Sequence, residues 1–147
     1  MTRFWDSSAL VSLVAGQNAA EHLRDMIQRD QKLVLWWGTR VESGSAIWRM
    51  WRNGQFDDAR AAELLREIET LAFDGEEIEP TEEVRATALR MLRVHELRAA
   101  DALQLAAASL WAGQNPTGFG FVSLDRRLRQ AAAREGFEVW PRPPQTG

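Results

Sequence analysis

The stretch Leu33 to Ser43, "LVLWWGTRVES", carries the reading of the fold. Leu33 to Trp37 is an unbroken apolar run that stops at Gly38. A run this short and this apolar suits a strand buried on both faces, as in a parallel sheet. Behind it, Thr39 and Glu42 have the spacing of a capping box, Thr at the N-cap and Glu three residues on. They predict a helix from Arg40 to about Arg52. A strand therefore runs almost directly into a helix, with an acid just past the junction.

The pattern recurs to either side. Arg3 to Trp5 reads as a short strand followed by Asp6, and Ser7 or Ser8 can cap a helix through Val14. Ala19 to Arg29 is amphipathic, with Ala20, Leu23 and Ile27 on one face. Asp57 to Phe73 is a long amphipathic helix, with Ala61, Leu64, Leu65, Ile68 and Leu71 at helical spacing. The acidic "DGEEIEP" (74–80) reads as a loop with a short strand around Ile78. Thr81 caps a helix through about Val94, and another helix runs from Ala99 to Ala112. Gly113 to Gly118 is a loop and Phe119 to Ser123 a strand. Arg126 to Arg134 is a helix stopped by Gly136, and Phe137 to Trp140 is a last strand. The tail from Pro141, "PRPPQTG", reads as disordered. Strands alternating with helices predict an α/β fold on a parallel sheet. The 147 residues suit one domain, spanning 1–140, with 141–147 as a flexible tail.

Composition narrows the chemistry. There is no cysteine, which excludes disulfides, thiol nucleophiles and cysteine-ligated zinc. The two histidines, His22 and His95, are far apart, so any metal would rest on oxygen ligands, which suits Mg²⁺ or Mn²⁺. The net charge of −3 argues against a broadly basic nucleic-acid coat but not against a local patch. Lys32 is the one lysine, and every other cation is an arginine, the side chain that grips phosphate with two prongs; a biased composition explains the same preference. No apolar run reaches the ~20 residues of a membrane span, and the start lacks a signal-peptide pattern. The expected location is the cytoplasm.

Four acids stand out, each with an ordinary alternative role. Asp6 follows the first strand and could be a helix N-cap, although Ser7 and Ser8 could cap without a charge. Glu42 fits the capping box. Asp125 follows the strand "FGFVS" and could cap the next helix. Asp101 is the one charged residue in "AADALQLAAASLWAG" (99–113), a helix apolar nearly all round and hence buried. A helix dipole helps a first-turn anion by about 0.3–1 kcal/mol, little beside the several kcal/mol of burying an ion. Asp101 therefore needs a cation or a route to water. Three of the four acids fall just past carboxyl ends of predicted strands, the edge where open α/β sheets bind ligands. Carboxylates gathered there take up protons unless a divalent cation holds them.

At this point the motifs resemble those of PIN-domain ribonucleases. "FWDSSALV" is similar to the opening motif, "RVES" supplies the early-helix glutamate, "LRAADALQLAAA" resembles the third acidic motif and "FVSLDRRLRQAA" the last. With this third motif the compact chain looks like the VapC toxins of bacterial toxin–antitoxin pairs. The resemblance implies a three-layer α/β/α sandwich on a mainly parallel sheet and Mg²⁺- or Mn²⁺-dependent endonucleolytic cleavage of RNA. It implies that Asp6, Glu42, Asp101 and Asp125 form the metal pocket, supported by the hydroxyls of Ser8 and Ser123. It also implies a homodimer and an antitoxin partner (VapB-like). Gln104 departs from the pattern, since many relatives carry histidine there, and the resemblance gives that position no part in the metal pocket.

On this reading Asp6, Asp101 and Asp125 hold one or two ions, and Glu42 ligates or orients the attacking water. Arg40, Arg49, Arg126, Arg127 and Arg129 are the candidates for drawing RNA to an acidic pocket, against the alternative of a solvated helix face. The seven tryptophans read by default as core, and otherwise as an apolar surface for a second subunit or an antitoxin helix. Two other classes compete. Phosphoacceptor α/β domains, receivers or phosphatases, also put acids and Mg²⁺ at strand ends, but Ser8 stands where the phosphatase pattern wants a second aspartate, and Lys32 comes too early. A catalytically inactive binding module would use the acids only as caps.

Overall fold

In the first strand, β1 (Arg3–Trp5), neighbouring side chains enter different cores: Phe4 packs with Val34, Trp36 and Phe121, and Trp5 with Leu33, Leu35 and Val122. That alternation is the period of two of a strand covered on both faces. The structure, a computed structural model, describes residues 2–17 and 19–142. The chain continues through α1 (Ser7–Ala15), α2 (Ala20–Asp30), β2 (Leu33–Trp36), α3 (Thr39–Arg52) and α4 (Asp58–Asp74). Then follow β3 (Glu76–Ile78), α5 (Glu82–Val94), α6 (Ala99–Trp111), β4 (Gly120–Val122), α7 (Arg126–Glu135) and β5 (Glu138–Trp140). All strands pair in parallel, in the order β3-β2-β1-β4-β5. Residues of α1 to α4 fill one core and residues of α5 to α7 the other. This is the expected three-layer α/β/α sandwich.

The strand order places the site. From β1 the chain winds outward through β2 to β3, then returns to lay β4 on the other side of β1. The carboxyl ends of β1 and β4 flank the point where the winding reverses, which opens a crevice. α6 lines it because alanines let the helix sit deep: Ala102, Leu105, Ala106, Ala107 and Ala108 are fully buried. Gly75 permits the turn from α4 into β3, since a Cβ there would meet the Leu33 carbonyl oxygen at 2.5 Å.

Several local expectations are corrected. α1 is capped by Asp6, whose side chain accepts from the Ala9 N–H, and not by Ser7 or Ser8. The capping box at Thr39 does not form: Gly38 is the N-cap, and no side chain bonds there. Thr39 is instead fully buried and its hydroxyl accepts from Gln104, a tertiary partner that displaces the local one. Trp37 leaves its strand and is 50% exposed, and Trp48 is also exposed, so the core reading fails for these two while it holds for Trp5 and Trp36. His95 caps the end of α5 and is buried with its Nε2 2.6 Å from Glu135. The tail is not free from its first residue: the Pro141 carbonyl accepts from Arg129, and the Arg142 guanidinium lies 4.5 Å from the centre of the Trp140 ring. Residues 143–147, where the rest of the expected disorder falls, lie outside the described residues.

Candidate active site

Asp6 ends β1 and begins α1, and its backbone N–H is tied to the Val122 carbonyl of β4 at 3.0 Å. The carboxylate is 2% exposed and fully engaged. Oδ1 accepts from the Ala9 N–H at 2.9 Å and from the Ser8 hydroxyl at 2.8 Å, and Oδ2 accepts from the Ser123 hydroxyl at 2.5 Å. Both serines also accept backbone N–H groups of the segment after β4: Leu124 bonds Ser8, and Asp125 bonds Ser123. The two hydroxyls therefore couple Asp6 to the backbone that presents Asp125. Burial pushes the Asp6 carboxyl up to about 6 from an ordinary 3.8, against the lowering pull of its three hydrogen-bond donors.

The other acids come from separate elements. Glu42 lies in the first turn of α3, with Oε2 accepting from Gln104 Nε2 at 2.6 Å. Burial lifts it to about 7, and the charges of Asp6 and Asp101 add to the rise. Asp101 lies in the first turn of α6, half-buried. Its carboxyl is raised by burial and then by the charge of Asp125, opposed by the Arg98 backbone N–H and the charges of Arg98 and Arg127. Asp125 is exposed and caps α7 through the Leu128 N–H at 2.9 Å. All four line one cavity of about 360 Å³, together with Ser8 and Ser12.

This cavity holds an excess of negative charge that protons or a cation must offset. Its donor set is oxygen only, which fits a hard divalent ion such as Mg²⁺. Among the described residues no three acidic or histidine side chains stand close enough to enclose an ion. The carboxylates are spread round the cavity walls, so an ion there would reach some of them through water, as Mg²⁺ commonly does.

The arginines divide. Arg40 is committed elsewhere, to Glu77 at 2.6 Å and Glu69 at 2.8 Å. Arg129 donates to the carbonyls of Ser123, Trp140 and Pro141, which makes it a clasp between β4 and the chain after β5. Arg129 is thereby tied to the backbone, whereas Arg40 stays on the surface with its donors shared between two acids. Arg127 lies 3.7 Å from the exposed Glu96, a loose surface pair whose charge still reaches Asp101. Arg49 and Arg126 are exposed and form no ion pair among the described residues.

Sequence reasoning gave Gln104 no part in the pocket and gave Thr39 only a cap. Gln104 is 1% exposed, and its Nε2 bonds both Thr39 Oγ1 at 2.9 Å and Glu42 Oε2. The available signal was its place three residues after Asp101, a long polar side chain in an alanine-rich helix.

The PIN domain family model matches residues 3–134. PAE2754 from Pyrobaculum aerophilum, a crystal structure, is 25% identical with a TM-score of 0.67, over 95% of this chain and 92% of that one. The crystal structure of FitAcB from Neisseria gonorrhoeae is 14% identical with a TM-score of 0.62, over 96% of this chain and 97% of that chain; this likeness is one of fold. No curated protein matches significantly. With its sheet order, its two cores and the match along nearly its whole length, the chain belongs to the PIN domain family, whose members are generally nucleases.

Proposed function

We propose that this protein is a metal-dependent endoribonuclease that hydrolyses RNA phosphodiesters, and that it serves as the VapC-like toxin of a toxin–antitoxin pair. The observation that carries this reading is the gathering of four carboxylates from β1, α3, α6 and the β4–α7 junction on one cavity at the reversal of the sheet. Asp6, Asp101 and Asp125 would hold Mg²⁺ or Mn²⁺, in part through water. The bound ion would activate water for attack and offset the charge developing on the scissile phosphate.

The chain's own residues supply the rest. Ser8 and Ser123 fix the Asp6 carboxylate and link it to the turn that carries Asp125. Glu42 Oε2 is engaged by Gln104, which leaves Oε1 to ligate the ion or to orient the attacking water. Arg49, Arg126 and Arg127 attract the RNA backbone to a cavity that would otherwise repel it. Trp37, Val41 and Trp48 expose apolar surface just before and along α3, which suits a second copy or an antitoxin. We take the protein to act as one cytoplasmic domain and as a homodimer.

RNA cleavage with and without Mg²⁺ tests the reading, comparing wild type with Asp101→Asn. The expected result is cleavage by wild type with Mg²⁺, lost on chelation and reduced at least about 100-fold in the variant. Equal cleavage by both proteins, or none by either across a broad RNA set, refutes it.

A further inference from the structure

We infer that Gln104 is a positioning residue, which holds the Glu42 carboxylate in place for a divalent cation and its water. The inference rests on the metal-dependent reading and adds a residue to it.

Glu42 has a long, flexible side chain. Left free, it would lose rotamer freedom each time it was ordered. Gln104 removes that freedom in advance. Its Nε2 carries two N–H donors, and both are in use, one on Glu42 Oε2 at 2.6 Å and one on Thr39 Oγ1 at 2.9 Å. Its Oε1 is buried with no partner among the described residues. The amide is thus turned to serve its two donor contacts at the expense of its carbonyl. The opposite orientation would set Oε1 against Glu42 Oε2, two acceptors face to face.

The anchor is rigid. Gln104 is 1% exposed, so the packing around α6 holds its amide against Glu42, and Thr39 only accepts its second N–H. Gln104 also lies three residues after Asp101 on α6, hence on a neighbouring part of the same helix face. One helix therefore supplies one carboxylate of the cavity and orients a second that belongs to α3. Partners of ligating side chains that fix their orientation commonly change metal affinity 10–100-fold when removed.

A purely structural role, in which Gln104 only stitches α6 to α3 through Thr39, makes a different forecast. The two separate in a calorimetric titration with Mn²⁺ alone on wild type, Gln104→Met, Thr39→Val, Glu42→Gln and the Glu42→Gln/Gln104→Met double variant. Thermal melts and far-UV circular dichroism monitor the fold. Gln104→Met is expected to weaken Mn²⁺ binding at least about tenfold. Thr39→Val, which keeps the Glu42 contact, is expected to change affinity less than about twofold even where it lowers the melting temperature. In the Glu42→Gln background, Gln104→Met is expected to add less than about twofold, because its effect passes through that carboxylate. Gln104→Ala, which leaves room for water, replaces Gln104→Met if the latter does not fold. Wild-type affinity in the Gln104 variant, an equal loss in Thr39→Val, or a loss that persists in the Glu42→Gln background overturns the inference and leaves the metal reading standing. A wild type that takes up no Mn²⁺ overturns the metal reading and the inference with it.

Discussion

Asp6→Asn should stabilise the metal-free protein at neutral pH. Burial lifts this carboxyl from 3.8 to about 6, and each tenfold change in proton affinity is worth about 1.4 kcal/mol. Keeping Asp6 ionised in the fold therefore costs roughly 3 kcal/mol at pH 7. The sign follows from proton counting. Between pH 3.8 and 6 the folded state binds the proton that the unfolded state releases, so stability falls as pH rises through this window and levels off above it. The amide carries no such charge. Its oxygen can still cap α1, since Asn and Asp are equivalent N-caps. It loses the ability to accept from the Ser123 hydroxyl at the second oxygen, a contact of 2.5 Å, worth about 1 kcal/mol. The net gain is about 2 kcal/mol at pH 7, or roughly 4–8 °C in melting temperature for a chain of this size, and a slight loss at pH 3.5. Urea unfolding in EDTA at both pH values measures it, with the difference between variant and wild type isolating Asp6. With saturating Mn²⁺ the order should reverse, because the wild type then gains about 2.7 kcal/mol at a hundredfold excess over Kd. A variant equally destabilised at both pH values, with or without Mn²⁺, would refute both the burial argument and a cation as the charge that offsets it.

Two further pairs of variants probe the scaffold. Arg129→Ala should lower stability by roughly 2–3 kcal/mol in chemical denaturation, since its partly buried guanidinium donates to three carbonyls. Arg127→Ala, on the same helix but exposed, should stay within about 0.5 kcal/mol of wild type and weaken RNA binding instead. Arg3→Met should destabilise by about 3–5 kcal/mol, because it strands the buried Asp30 carboxylate that Arg3 holds at 2.7 Å. Asp30→Asn together with Arg3→Met should recover much of that loss, and a double variant as unstable as the single one would contradict the pairing.

Much of the architecture is legible because its signals are local. The unbroken run Leu33–Trp36 and the short runs before Asp6 and Asp125 could hardly be other than strands covered on both faces, and the alanine-rich helix around Asp101 had to be buried. Those same patterns set three of the acids beside one predicted edge and the fourth at the start of a buried helix, and Asp6, Glu42, Asp101 and Asp125 do line one cavity. The local capping rules were only partly right at the site itself: Asp125 caps α7 as they allow. They left the cap that Asp6 makes open between Asp6, Ser7 and Ser8, and gave Thr39 a cap that it does not make.

The alternation of strands and helices, the parallel sheet and the residue types that could meet at its carboxyl edge were readable from the chain alone, because periodicity and turn chemistry depend on near neighbours; the three layers came from the family resemblance. Which polar groups pair depends on the three-dimensional packing. Gln104 reaches Glu42 across 62 residues, Ser123 reaches Asp6 across 117, Arg40 pairs with Glu69 and Glu77, and Arg129 donates to the carbonyls of Ser123, Trp140 and Pro141. Such pairings are fixed by where packed helices and strands bring side chains within ~3 Å of one another, a distance that no local pattern encodes.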